Sequence, residues 1–124
     1  DRLLREWHAR FKKPVFLTEF GADTIAGFHA DPPAMWSEEY QCEIMERYHE
    51  VLDKLDFMIG EHVWNFADFM TAQGTGRAIG NRKGIFTRQR QPKAAAFVLR
   101  QRWQAMAKRG QGTQRQGTQE TQGT

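Results

Sequence analysis

The chain has 124 residues, a length that fits one compact domain and leaves no room for a second hydrophobic core. Hydrophobic residues make up an ordinary 40%, and the longest apolar runs fall far short of the roughly 20 residues that cross a bilayer, so we expect no membrane span. The net charge of +3 is too small to indicate a protein that neutralises many phosphates, so we expect no nucleic-acid partner.

Cysteine and histidine usage gives no indication of a metal site. Cys42 is the single cysteine, which excludes an internal disulfide and a cysteine-based zinc cluster. The four histidines lack the spacing of metal ligands, so we predict neither a metal nor a cofactor. The sequence begins with Asp1 and shows no targeting signal, which is therefore absent or upstream. The compartment stays open, with a cytoplasmic location favoured.

The first elements in chain order are a helix and a buried strand. Apolar residues recur at helical spacing over residues 1–12, and Pro14 ends this helix. Residues 14–20 are apolar on both faces, as strands of buried parallel sheets are, and Gly21 ends the run. A helix followed by such a strand is typical of α/β proteins.

A loop over residues 21–36 and a second helix come next. This loop is longer than the roughly 2–6 residues of a routine connection. Ser37, with acidic residues after it, predicts the N-cap of the helix. The helical spacing predicts an inward stripe of Tyr40, Ile44, Tyr48, Val51, Leu52 and Leu55.

The last part of the chain predicts a second strand, a long loop, a helix and a tail. The strand lies at the centre of residues 57–66, and a glycine-rich loop spans residues 67–90. Pro92 suits the first turn of the final helix, whose inward face would hold Ala95, Leu99, Trp103 and Met106. Residues 109–124 repeat Gln-Gly-Thr without a large apolar residue, which predicts a disordered tail.

Two strands and three helices would leave sheet edges and apolar helix faces uncovered. We therefore expect this chain to be a piece of a larger α/β structure. Both long loops follow the carboxyl ends of strands, where (β/α)₈ barrels carry their active sites. Glu19 stands out there, because a charge at the end of an apolar strand is costly unless it is paired or used. Position alone leaves open whether it forms a structural ion pair or takes part in chemistry.

Three motifs, at residues 18–23, 64–69 and 80–88, bear on that choice. Together they strongly resemble the β-glucuronidases of glycoside hydrolase family 2, in one register from about Lys13 to Met106. The resemblance implies that residues 1–108 form the last two strands and last helices of a partial (β/α)₈ TIM barrel, the C-terminal part of a catalytic domain. It also implies that the complete enzyme is a homotetramer.

The resemblance implies a catalytic role for Glu19. It matches the nucleophile, whose carboxylate forms a covalent glycosyl-enzyme intermediate that water hydrolyses with retention of configuration. A second carboxylic acid must protonate the leaving oxygen, and no acidic residue of this chain matches it. We therefore expect the isolated chain to be inactive.

The resemblance also implies substrate-binding residues. Asn81 and Lys83 form the Asn-x-Lys motif that contacts the C6 carboxylate of glucuronic acid, which charge-assisted hydrogen bonds would recognise. Arg77 matches an arginine near that carboxylate. Trp64 matches a tryptophan of the sugar pocket that often precedes a cis peptide bond, here to Asn65.

The function so implied is the hydrolysis of β-D-glucuronides to D-glucuronate and an alcohol. An alternative within the enzyme class is the hydrolysis of another uronide, such as a galacturonide. An alternative of a different class is a non-catalytic interaction or oligomer-interface segment, since the basic last helix could face a partner.

Overall fold

The computed structural model describes residues 1–76 and 79–120, with side chains as far as residue 108. Within this part, helices and strands alternate along the chain in the predicted order. They are α1 (Arg2–Phe11), β1 (Val15–Phe20), α2 (Glu38–Leu52), β2 (Met58–Val63) and α3 (Ala94–Glu120). None of the described helices combines the length and the apolar character that crossing a membrane requires.

The start of α2 is confirmed, and the start of α3 differs from the prediction. Ser37 caps α2, because its hydroxyl accepts a hydrogen bond from the Tyr40 N–H at 3.1 Å. Helix α3 begins at Ala94 rather than at Pro92. Pro92 instead forms an antiparallel bridge with Phe86 of the preceding loop, so the backbone cannot turn into the helix there.

The two strands are parallel neighbours, and the extra residue in β1 changes which side chains face the core. Leu17 pairs with Glu61 and Phe20 with Val63, so β1 advances by three residues while β2 advances by two. A β-bulge of this kind alters the normal alternation of side chains. Leu17 and Phe20 consequently both contact the core, although they lie three positions apart.

The hydrophobic core lies between one face of the sheet and the helices α2 and α3. Its buried members are Phe20, Met45, Ile85, Ala95 and Leu99. The inward face predicted for α3 is right for Ala95 and Leu99 and wrong for Trp103 and Met106, which are about half exposed. These two side chains line an open groove with Met58 and Ile59 of β2, so they are only partly covered.

The inward stripe predicted for α2 is right in part, since Tyr40, Ile44 and Val51 are half-buried. The buried residues are Glu38, Gln41, Met45, His49 and Leu52, whereas Tyr48 of the predicted stripe is exposed. Leu52 and Leu55 are buried as predicted. The buried face of α2 differs from the predicted face because polar side chains on it form hydrogen bonds with backbone groups of the neighbouring loops. A hydrophobic pattern does not detect such bonds.

An ion cluster joins α3 to β2 and to the end of α2. The Arg102 guanidinium donates to Glu61 at 2.9 Å and to both carboxylate oxygens of Asp53 at 2.8 and 3.0 Å. His49 lies 3.3 Å from Glu61, and burial together with Arg102 lowers the pKa of this histidine. This cluster links the two helices to each other and to β2.

The two ends of the chain differ in how they pack. Helix α1 has no buried residue. Three apolar side chains along one face of this helix are at least half exposed: Leu3, Trp7 and Phe11. The backbone of α3 continues to Glu120, through most of the segment for which disorder is predicted. The side chains of that segment lie outside the described part, and the division of the chain at residue 108 stays a prediction.

Leu99 offers a test of this packing. Leu99→Ala is expected to lower the free energy of unfolding of the 124-residue chain by about 2–5 kcal/mol, because it opens a cavity in the core. Gln101→Ala, at an exposed position of the same helix, should change it by less than about 0.5 kcal/mol. Urea denaturation followed by circular dichroism measures both values. Equal losses for the two variants would contradict the core described here.

Candidate active site

Glu19 lies at the carboxyl end of β1, where the neighbouring strand also ends. Its side chain is exposed, and it makes no hydrogen bond or ion pair with any described residue. The Trp64 N–H donates to the Phe20 carbonyl at 2.8 Å, which fixes the start of the next loop beside this carboxylate. The structural ion pair that position alone left open is therefore not found among the described residues.

Gly21 allows the two strand ends to approach. A Cβ at this position would overlap the carbonyl oxygen of Trp64, so any other residue would push the chains apart. The peptide bond between Trp64 and Asn65 is cis, as the resemblance implies. The Trp64 indole is partly exposed and meets the Phe69 ring edge to face at 6.3 Å between centroids.

Hydrogen bonds within the loop after β2 fix the position of the segment Asn81–Lys83. Asn81 exchanges both backbone hydrogen bonds with Phe69, at 2.9 and 3.2 Å. The Asn81 side-chain oxygen accepts the Lys83 N–H at 3.0 Å, and the Asn65 N–H donates to the Lys83 carbonyl at 3.1 Å. These contacts place Lys83 directly beside the cis peptide at the end of β2.

The loop after β1 contacts the middle of the same segment. The Asp23 carboxylate accepts the Arg82 N–H at 2.9 Å, and the Thr24 N–H donates to the Arg82 carbonyl at 2.9 Å. Gln41 of α2 is fully buried and its amide nitrogen lies 3.2–3.3 Å from the carbonyl oxygens of Ala22, Lys83 and Gly84. The two loops therefore form one hydrogen-bonded unit over α2.

A buried ion pair lies beneath this unit. Lys93 is 0% and Asp68 is 3% exposed, and the Lys93 ammonium lies 2.9 Å from an Asp68 oxygen. The same carboxylate oxygen accepts the Gly84 N–H at 3.0 Å. Burial lowers the pKa of Lys93, and the neighbouring Asp68 opposes that effect.

Acidic residues of α2 attach the loop after β1 to the helices. Glu38 accepts the Gly27 N–H at 2.7 Å and the Ala94 N–H, at the start of α3, at 2.6 Å. Glu39 binds His29 at 2.7 Å. This hydrogen bond lowers the pKa of Glu39 to about 2 and raises the pKa of His29.

The structure brings most of the predicted site residues to one edge of the sheet. Glu19 and Trp64 lie at adjacent strand ends, and Asn81 and Lys83 lie in the loop bonded to Asn65. No described contact joins the Glu19 carboxylate directly to the other three. Arg77 lies outside the described residues.

Sequence reasoning missed the residues that hold this site together. Asp23, Gln41, Asp68 and Lys93 each bind backbone groups of the Asn81–Lys83 segment or its neighbours. None follows a local pattern that separates it from an ordinary polar residue, because the acceptors come from distant parts of the chain.

The arrangement offers, at one edge of the sheet, an exposed carboxylate at the end of β1, an aromatic ring after β2 and a lysine on a fixed loop. Such a set suits a polar ring-shaped ligand that carries a negative charge. Among the described residues, no three His, Cys, Asp or Glu side chains form a group that could hold a metal ion.

Several known proteins are similar to this chain over most of its length. Residues 1–108 match the family described as glycosyl hydrolases family 2, TIM barrel domain. The β-glucuronidase of Paenibacillus borealis is 65% identical over 103 residues, which are 83% of this chain and 17% of that protein. The chain thus spans about a sixth of the length of this curated relative.

Solved structures share the fold of the chain. The β-D-glucuronidase of Dictyoglomus thermophilum has a TM-score of 0.81 and 59% identity, over 83% of this chain and 18% of that one. The Ruminococcus gnavus β-glucuronidase in complex with uronic isofagomine has a TM-score of 0.77 and 52% identity, over 81% and 17%. The α/β content and the two parallel strands fit part of a TIM barrel.

Gly84 provides a test of the loop packing. A Cβ there would overlap the Asp68 backbone, so Gly84→Ala should lower the free energy of unfolding by about 1–3 kcal/mol. A Cβ at Gly74 meets no atom within 4 Å, so Gly74→Ala should cost less than about 0.5 kcal/mol. Urea denaturation measures the free energy of unfolding of both variants. A larger loss for Gly74→Ala than for Gly84→Ala would contradict the loop arrangement.

Proposed function

The chain belongs to family 2 of the glycosyl hydrolases, within the TIM barrel domain of that family, and we propose that it serves in the hydrolysis of β-D-glucuronides to D-glucuronate and an alcohol. In this proposal β1 and β2 are the last two strands of the barrel. The observation that carries it is the Glu19 carboxylate at the carboxyl end of β1, which pairs with none of the described residues and lies on the same sheet edge as the Asn81–Lys83 loop. The β-glucuronidase relatives described above support the same substrate class.

Glu19 acts as the nucleophile in this proposal. Its carboxylate attacks the anomeric carbon and the aglycone oxygen leaves, so a covalent glycosyl-enzyme ester forms; water then hydrolyses the ester with net retention. Two observations support the role: the side chain is exposed, and no described cation competes for its charge. A carboxylate also stabilises the positive charge that develops on the sugar in the transition state.

The acid that protonates the leaving oxygen comes from elsewhere in the barrel. Such an acid lies about 5–5.5 Å from the nucleophile in retaining enzymes. Asp23 and Asp68 flank the loops, but Asp23 accepts a backbone N–H and Asp68 pairs with Lys93 beneath them. We therefore expect no hydrolysis by the 124-residue chain alone.

Asn81 and Lys83 select the uronic acid in this proposal. The oxygen of the Asn81 amide is committed to the Lys83 N–H, so its amide nitrogen is the end that can donate to a ligand. The Lys83 ammonium adds a charge-assisted hydrogen bond to the C6 carboxylate, which a neutral hexose does not offer. Arg77 is proposed to assist, and Trp64 to form part of the sugar pocket. Assembly as a homotetramer stays a prediction.

The nucleophile is tested in a hybrid enzyme, the Paenibacillus borealis β-glucuronidase with its matching segment replaced by this chain's residues. Glu19→Gln keeps the side-chain size and removes the charge, so turnover of 4-nitrophenyl β-D-glucuronide should fall by roughly 10³-fold or more. Glu50→Gln, which removes an exposed carboxylate of α2, should leave turnover unchanged.

Size-exclusion chromatography should show the same oligomeric state for both glutamate variants. Turnover of the Glu19 variant within about tenfold of the unmodified hybrid would contradict the proposal. That outcome would favour the alternative in which this segment serves only in interactions.

Lys83 is tested in the same hybrid. Lys83→Ala should lower kcat/KM for the glucuronide by about 10- to 100-fold, the value of a charge-assisted hydrogen bond, with little change for the corresponding glucoside. Lys54→Ala removes an exposed lysine that precedes β2, at the opposite edge of the sheet, and should change neither. Equal losses on both sugars would contradict uronate recognition by Lys83. Assay of the galacturonide in parallel distinguishes the two uronides.

A further inference from the structure

Lys93 is a charged residue with no contact to solvent, placed between the two loops of the candidate site. Its ammonium lies 2.9 Å from each of three acceptors, the carbonyl oxygens of Thr24 and Arg82 and a carboxylate oxygen of Asp68. An ammonium has three protons, so every donor is used. A lysine so bound cannot rotate away without leaving a buried charge unpaired.

The three acceptors come from both loops. Thr24 belongs to the loop after β1, and Asp68 and Arg82 belong to the two sides of the loop after β2. Lys93 itself directly precedes α3, whose first N–H is bound by Glu38. The ammonium therefore connects the two loops that carry the proposed site to the helical layer behind the sheet.

The neighbours of Lys83 are the groups that this cluster holds. On one side, the Arg82 carbonyl accepts from both the Lys93 ammonium and the Thr24 N–H. On the other side, the Gly84 N–H donates to Asp68, which Lys93 neutralises. The backbone of Lys83 is thus fixed at both ends by one ion pair. The Arg82 guanidinium adds a longer contact of 3.6 Å to the second Asp68 oxygen.

We propose that Lys93 is a positioning residue for uronate recognition, which sets the place of the Asn81–Lys83 segment through its bonds to Asp68 and the Arg82 carbonyl. The proposal rests on the proposed function, since it assigns to Lys93 the geometry of the residues that would bind the C6 carboxylate. Lys93 is fully buried and does not touch substrate. Its loss displaces the Lys83 ammonium from the uronate while the nucleophile keeps its place on β1.

This role predicts a selective defect. A displacement of about 1 Å in a recognition group can cost about 10- to 100-fold in rate. The loss should therefore fall on glucuronides and spare neutral sugars, whose binding does not use Lys83. A residue that only stabilises the fold would affect both sugars equally.

The test uses the hybrid enzyme with Lys93→Met, which keeps the volume of the side chain and removes the charge. The ratio of kcat/KM for the 4-nitrophenyl glucuronide to that for the glucoside should fall at least about tenfold, mainly through KM. The Ki of uronic isofagomine should rise relative to that of neutral isofagomine, by at least about tenfold. Lys108→Met, an exposed lysine of the same helix, should change neither ratio.

A second variant distinguishes the positioning role of Lys93 from the loss of stability that an unpaired Asp68 carboxylate causes. Asp68→Asn combined with Lys93→Met removes both charges, so it should fold more stably than Lys93→Met alone. It should still lose the glucuronide preference, since the bond to Arg82 is absent. If Lys93→Met yields no folded protein, the double variant answers the question by the same two ratios.

The possible outcomes distinguish this inference from the function on which it rests. Unchanged ratios, or parallel losses on both sugars, in the Lys93 variants overturn the positioning role. If Lys83→Ala also leaves the ratios unchanged, the proposed uronate recognition fails as well. A selective loss in Lys83→Ala and in both Lys93 variants supports both.

Discussion

The two loops of the candidate site depend on the hydrogen bonds of one buried group, the Lys93 ammonium. Both loops of the site are long and contain little regular structure, so their backbone groups need partners from side chains. Lys93 binds two backbone carbonyls and one carboxylate from these loops. A buried charge is costly unless all its hydrogen bonds are made, and this requirement allows few arrangements of the loops around it.

The same need for backbone partners explains the orientation of α2. Its buried face carries Glu38 and Gln41 beside Met45 and Leu52. Glu38 binds two N–H groups from separate segments, and Gln41 binds carbonyls of both loops. The helix therefore supports the sheet with its apolar residues and supports the site with its polar ones. An amphipathic pattern detects only the first of these tasks.

The orientation of Glu19 follows from a local irregularity of β1. The extra residue between Leu17 and Phe20 lets both apolar side chains face the core and leaves Glu19 exposed at the strand end. Gly21 then permits the close approach of Trp64, whose N–H binds the Phe20 carbonyl. The bulge and the glycine together put an exposed carboxylate at the sheet edge from which the loop that carries Lys83 begins.

Much of this arrangement could be predicted from the sequence because its signals are local. Helical spacing, the Ser37 cap, the apolar run ending at Gly21 and the three motifs each depend on residues close together in the chain. The order of elements and the parallel strand pair follow from them, and the cis bond after Trp64 follows from the family resemblance that the motifs carry. Only the tertiary structure decided which face of α2 is buried, that Trp103 is exposed, and that Lys93 lies between two loops. Those outcomes depend on hydrogen-bond partners up to 69 residues apart, which no local pattern specifies.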